Sequence, residues 1–133
     1  MRPISAKGTR ALNLGAYLNA SDNSGARIVK LVSVKKGKSK KGRQQYAKIA
    51  DQVKVSVRAG KPEMKGEVYD AVIIRLKRAY RRKTGERVCF EDNAVALLKD
   101  DKGNPKGTQI KGPVSREVAE RWKGVSKIAQ FVL

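Results

Sequence analysis

Residues 66–98, GEVYDAVIIRLKRAYRRKTGERVCFEDNAVALL, constrain the fold of this chain more than any other stretch. Two apolar runs, residues 68–76 and 88–98, flank a basic centre between Arg75 and Arg87. Both runs are rich in β-branched side chains, which suit a pleated strand, and each is long enough for one. Between them Lys83-Thr84-Gly85-Glu86 supplies a turn, because Gly85 can take a positive φ at little cost. The stretch is therefore expected to form a long β-hairpin with apolar roots and a cationic tip. The tip carries Arg75, Lys77, Arg78, Arg81, Arg82, Lys83 and Arg87 against Glu86 alone. A ribbon that carries charge away from its own core calls for an anionic partner. The alternative is a solvated hairpin whose charge only blunts sheet edges.

The rest of the chain is patterned around this hairpin. Residues 1–10 hold Arg2, Lys7 and Arg10 and are expected to be a basic arm that orders on a partner. Leu12, Leu14, Ala16 and Leu18 alternate with other residues and predict a first strand. Residues 21–25, SDNSG, are a dense turn signal. Ile28, Val29, Leu31, Val32 and Val34 predict a strand apolar on both faces, as for one lying deep in a sheet. Residues 35–43, KKGKSKKGR, have no apolar side chain and cannot contribute to a core. Their cations, Lys35, Lys36, Lys38, Lys40, Lys41 and Arg43, make either a phosphate-seeking loop or merely a solubilising one. Val53, Val55 and Val57 alternate with Lys54, Ser56 and Arg58, which predicts a half-buried strand, apolar inward and cationic outward.

After the hairpin, residues 100–105 form a turn and residues 106–110 return briefly. Gly112-Pro113-Val114 predicts the opening of a helix, since proline fits a first helical turn. Val114, Val118 and Trp122 share one face of it, Arg116, Glu117, Glu120 and Arg121 form the polar side, and Gly124 ends it. Ile128, Phe131, Val132 and Leu133 are an apolar tail expected to dock on the body. Short strands at regular spacing with one late helical part (residues 112–133) give a mainly β chain. The expected fold is a small closed barrel in a single domain of residues 1–133.

Charge then narrows the function. Lys and Arg number 31 against 12 Asp and Glu, a net charge of +19. Charge of that size speaks to partners rather than to fold, with nucleic acid first and an anionic membrane surface second. No apolar run approaches the roughly 18 residues of a membrane span, and residues 1–7 lack an apolar signal core. An intracellular, soluble protein is expected. One cysteine and no histidine exclude a disulfide framework within one chain, Cys/His zinc sites and Ser-His or Cys-His nucleophile pairs. Cys89, between Val88 and Phe90, is expected to be a small buried hydrophobe. No metal or cofactor is expected. Glu91 and Asp92 are adjacent on a strand and point to opposite faces, so they make no acid–base pair, and an enzyme is not expected.

Aromatic residues make up 5% and are scattered, so a base-stacking platform for single strands is missing. What remains is phosphate contact by Arg and Lys, which positions rather than specifies. The ligand is then structured RNA read by shape, or DNA read nonspecifically. The candidate contacts are the loop cations 35–43, Lys54, Arg58 and the seven cations of the ribbon. The C-terminal third is less cationic: Glu117 and Glu120, both expected to be exposed, appear with Trp122. That surface suits a protein partner, although Trp122 can equally pack the helix onto the barrel.

Several pieces in fixed order carry a resemblance. They are Asp22-Asn23-Ser24-Gly25-Ala26-Arg27, Gly66-Glu67-Val68 leading into Ala71-Val72-Ile73-Ile74-Arg75, and Arg81-Arg82 before Gly85. Phe90, Asp92-Asn93-Ala94, Leu97-Leu98, Gly107-Thr108, Gly112-Pro113-Val114 and Arg116-Glu117 follow. From about residue 12 to the end the chain resembles the universal large-subunit ribosomal protein fourteen family in its archaeal–eukaryotic form. It departs from bacterial members in a longer N-terminal arm, in Ala50-Asp51 where they carry Gly-Asp, and at its C-terminal residues. The resemblance implies a five-stranded barrel with a projecting β-ribbon and small C-terminal helices. It implies a cytoplasmic, ribosomal location near the subunit interface, contacts to RNA of both subunits at intersubunit bridges, and ribosomal protein three among the neighbours. It also implies that factors keeping the subunits apart dock on Thr108, Gln109 and the helix with Glu117 and Glu120. The rival reading is a free-standing basic barrel that binds RNA in translation.

Overall fold

The computed structural model describes residues 2–36, 41 and 43–133. In chain order its elements are β1 (Ala6–Lys7), β2 (Leu12–Asn13), β3 (Tyr17–Ala20), β4 (Ala26–Val34), β5 (Tyr46–Ala47), β6 (Gln52–Gly60) and β7 (Val68–Arg75). There follow β8 (Tyr80–Arg82), β9 (Arg87–Val88), β10 (Ala94–Leu98), β11 (Ile110–Val114), α1 (Arg116–Arg121), α2 (Lys123–Ile128) and β12 (Ala129–Val132). The β-branched runs close into a five-stranded barrel, ordered β10-β3-β4-β6-β7, with β7 pairing back onto β10. Closure leaves this sheet without an open edge.

Alternation sets the barrel register. Val53, Val55 and Val57 of β6 are fully buried and lie opposite Val34, Leu31 and Val29 of β4. Lys54 and Arg58 face outward, while Ser56, assigned outward by its period, is covered. A one-residue slip would exchange these faces, so the buried valines fix the pairing. Strand β10 is buried along its whole length, and Ala71 to Arg75 of β7 are buried as well. Both faces are covered because the C-terminal elements pack outside β7, where the Ser115 amide donates to the Ile74 carbonyl at 3.2 Å. Among the described residues no helix is long and apolar enough to cross a membrane.

Several local expectations are revised. The first strand is split into β2 and β3 by Gly15, at φ 88°, and Leu14 is exposed. Strand β4 is apolar on both sides, yet Ile28 and Val32 are 42% and 45% exposed, so its outer row is open rather than deep. The hairpin is not continuous. Its roots pair as β7 and β10, and the chain between leaves the barrel to pair separately as β8 and β9, turning at Gly85. The N-terminal arm supplies a third strand, with Ala6 opposite Arg82 and Lys7 opposite Arg81, so this part of it is already ordered on the ribbon. Cys89 is exposed, because β9 ends at Val88 and the residue falls in the uncovered connection to β10.

At the other end, Gly112 and Pro113 belong to β11, which pairs parallel to β12, and the helix starts only at Arg116. A proline is tolerated in this irregular two-stranded ladder, where a central strand would need its N–H. Gly124 does not end a helix but lies inside α2, where a Cβ would sit 3.0 Å from the Gly103 carbonyl oxygen. The tail docks by backbone, with the Arg116 amide on the Leu133 carbonyl at 2.9 Å, while Phe131, Val132 and Leu133 keep their side chains exposed.

Candidate nucleic-acid interface

The cations divide into those held inside the structure and those turned to solvent. Arg75 belongs to the first group and is buried. Its Nε donates to Asp92 at 2.9 Å, its Nη1 to the carbonyls of Lys111 and Pro113 at 3.0 and 2.8 Å, and its Nη2 to the Ser21 hydroxyl. It braces β7 against the 21–25 turn and β11. Gly112, at φ 78°, makes room for it, since a Cβ there would lie 2.8 Å from Nη1. Burial pushes the Asp92 carboxyl up, but hydrogen bonds from Arg75 and Asn19 and the Arg75 charge outweigh it and hold the group below its ordinary value.

Arg82 is also internal. Its Nε donates to Glu117 Oε1 at 2.8 Å and its Nη2 to the Leu133 carbonyl at 2.6 Å. The Tyr80 hydroxyl donates to Glu117 Oε2 at 2.7 Å. Glu117, expected at the surface, is 2% exposed, because the side of α1 that carries it faces Tyr80 and Arg82 of the ribbon, while Arg116 and Glu120 stay exposed on the other side. Burial pulls the Arg82 guanidinium down, but the hydrogen bonds to Glu117 and Tyr80 and the Glu117 charge raise it overall. Arg75 and Arg82 therefore leave the candidate RNA set, and Glu117 leaves the partner face. Lys35 is partly committed, 2.9 Å from Asp70, while Lys54 stands 3.9 Å from the same carboxylate and stays half exposed.

The outward cations are Lys36, Lys41, Arg43, Arg58, Lys77, Arg78, Arg81, Lys83 and Arg87, all exposed. Arg78 also donates to the Arg10 carbonyl at 2.8 Å, which holds the two segments side by side. Lys38 and Lys40 lie outside the described residues. On the ribbon, Lys7, Arg81 and Arg87 are directly opposite one another across β1, β8 and β9. Directly opposed residues share a face of a sheet, and like charges so placed repel. The sequence reads Lys7 only as part of a basic arm, since nothing local says that residue 7 pairs with residue 81.

A second group was equally hidden. The Arg10 guanidinium lies 4.4 Å from the Tyr46 ring centroid and the Lys48 ammonium 5.4 Å from it. The Arg10 hydrogen bond, then the Lys48 charge, hold the Tyr46 phenol below its ordinary value. Arg10, Arg43 and Tyr46 line a cavity of about 220 Å³. The sequence offers Arg10 in the basic arm and Arg43 in the basic loop, but nothing local brings either to Tyr46. Of the residues expected to meet a protein partner, Thr108, Gln109 and Glu120 are exposed, and the Thr108 and Gln109 amides both donate to Asn23 Oδ1. Among the described residues no three His, Cys, Asp or Glu side chains converge as metal ligands.

This is a small basic β-barrel protein whose carboxylates Asp22, Asp51, Asp70, Asp92 and Glu117 accept bonds within the chain while most of its cations point outward. The chain belongs to the ribosomal protein L14p/L23e family, whose model matches residues 11–133. It is 58% identical over 133 residues, the full length of both chains, to the large ribosomal subunit protein uL14 of Nanoarchaeum equitans. The uL14 proteins of Methanothrix thermoacetophila and Methanocella arvoryzae are 51% and 46% identical, again over the full length of both.

Proposed function

We propose that this protein is a structural constituent of the large ribosomal subunit in the cytoplasm. It binds large-subunit ribosomal RNA by its phosphate backbone near the subunit interface, and touches small-subunit RNA at intersubunit bridges. The observation that carries the RNA contact is the row Lys7, Arg81 and Arg87, three exposed cations forced opposite one another across the ribbon. Such a row opposes folding on its own and is relieved by a polyanion. Full-length similarity to uL14 proteins supports the ribosomal setting. Neighbouring ribosomal proteins, ribosomal protein three among them, complete its surroundings. The exposed face with Thr108, Gln109 and Glu120 is where an anti-association factor docks.

The triple variant Arg81→Glu, Lys83→Glu and Arg87→Glu tests the RNA-binding role of the ribbon, and avoids the internally bonded Arg82. Its circular dichroism should match the parent. Its affinity for isolated large-subunit RNA should fall, with a shallower salt dependence. The log–log slope should drop by roughly 0.7–0.9 for each phosphate no longer neutralised. Unchanged affinity and slope with intact structure would refute the ribbon as an RNA arm.

A further inference from the structure

A second cationic cavity lies where the turn after β10 folds over the junction of α1 and α2. Gly103, at φ 101°, lies against the Trp122 ring, and a Cβ there would be 2.7 Å from Cε3. Gly124 allows the same approach from the helix side. Trp122 forms the floor, and its indole N–H donates to the Ala50 carbonyl at 2.9 Å. Ala50 has a φ of 65°, a left-handed conformation unfavourable to a residue with a Cβ. The strained turn aims one carbonyl at both Trp122 and Arg121, whose Nη1 donates to it at 3.3 Å. Arg121 Nε donates to the Arg2 carbonyl at 2.6 Å and so ties the N-terminal segment to the wall.

These groups line an open cavity of about 460 Å³, within the usual range of ligand pockets. The cations of the cavity, Arg2, Lys36, Lys102, Arg121 and Lys123, come from four separate parts of the chain. Asp101 is the carboxylate that lines it with them. Arg121 is desolvated, which holds its pKa below the ordinary guanidinium value, and the nearest carboxylate oxygen, of Asp51, is 3.7 Å away. The ammonium groups of Lys36, Lys102 and Lys123 make no hydrogen bond or salt bridge among the described residues. Five convergent cations against one lining carboxylate, Asp101, with Asp51 beside Arg121 and Asp100 beside Lys102, leave the cavity net positive, and with a wall held by a strained turn and two close-packed glycines they form a concave anion site.

We propose that this cavity receives a phosphate of an RNA backbone, so that one phosphodiester enters the protein beside Trp122. The proposal rests on the reading of the chain as RNA-binding, and it names a contact separate from the ribbon. Trp122 is the one tryptophan of the sequence, so its emission reports on this cavity alone.

The full-length protein is titrated with a short single-stranded RNA, with uridine monophosphate, with inorganic phosphate and with an acidic peptide. RNA is expected to shift Trp122 emission saturably, at lower concentration than either small phosphate. In the variant Lys36→Ala, Lys102→Ala, Lys123→Ala the emission response should disappear. The salt slope should fall by about 0.7 for each phosphate no longer neutralised. Circular dichroism should stay as in the parent, and the remaining RNA affinity should still respond to ribbon charge reversal. RNA binding with no change in Trp122 emission overturns the cavity and leaves the ribbon reading standing. Absence of binding to this single-stranded RNA overturns the cavity and leaves the ribbon reading, which concerns structured RNA, standing on its own test. An equal response to inorganic phosphate marks a free-phosphate site, and a response to the acidic peptide but not to RNA marks a protein-binding site. Either result overturns the proposal.

Discussion

Val55→Asp is expected to remove most of the stability of this protein. Val55 is fully buried in the centre of β6, between Leu31 of β4 and Tyr69 of β7. Losing the valine forfeits roughly 1.5–3 kcal/mol of apolar burial. The carboxylate then lies among apolar side chains without a partner, which takes the total to about 4 kcal/mol or more. Domains of this kind are stable by about 5–15 kcal/mol, so the variant should melt far below the parent or fail to fold. Lys54→Ala, one residue away on the outer face, should change stability by no more than about 0.5 kcal/mol. Circular dichroism melts of the pair decide the matter, and a parent-like melting temperature for Val55→Asp would contradict the inward assignment.

Glu117→Ala is expected to cost about 3–5 kcal/mol, the range for removing one partner of a buried ion pair. It strips Arg82 of its carboxylate and the Tyr80 hydroxyl of its acceptor, both on the ribbon, and so loosens ribbon and C-terminal helix together. The linked pH signature is specific. Burial, then the hydrogen bond to Glu117, push the Tyr80 phenol from 10.0 up to about 12. A folded value above the unfolded one stabilises fully below pH 10 and is lost as pH rises through about 12. In Glu117→Ala the phenol should titrate closer to its ordinary value, followed by tyrosinate absorbance. An unmoved Tyr80 titration, with stability within about 1 kcal/mol of the parent, would show that the triad does not hold the ribbon.

The barrel was legible in the sequence because its strands announce themselves locally. Val53, Val55 and Val57 need only their own period-two spacing to be assigned inward. The ionic structure was not legible, because each pairing joins distant segments. Arg75 and Arg82 look like Arg81 and Arg87 in a basic run, and only the fold brings Asp92 and Glu117 to two of them. Glu117 has the helical position of a polar surface residue, and only the return of the ribbon over α1 buries it. Lys7 and Tyr46 gain their roles the same way, from β1 joining β8 and from Arg10 reaching Tyr46. Gly112-Pro113 misled because proline suits both a helix start and an irregular parallel ladder. Net charge and strand period point only to a basic barrel with an anionic partner, whereas the ordered motifs from Asp22 to Glu117 carry the resemblance to the ribosomal family.

The central claim is tested most directly by sedimentation. Tagged protein is expressed in cells, and large subunits are separated on a gradient at high salt, which strips loosely bound basic proteins. The chain is expected to travel with the large subunit in fixed ratio to its RNA, and the ribbon charge-reversal variant to be depleted from that fraction. A folded chain that remains at the top of the gradient, free or on small RNA, would contradict the account and identify a free-standing RNA-binding barrel instead.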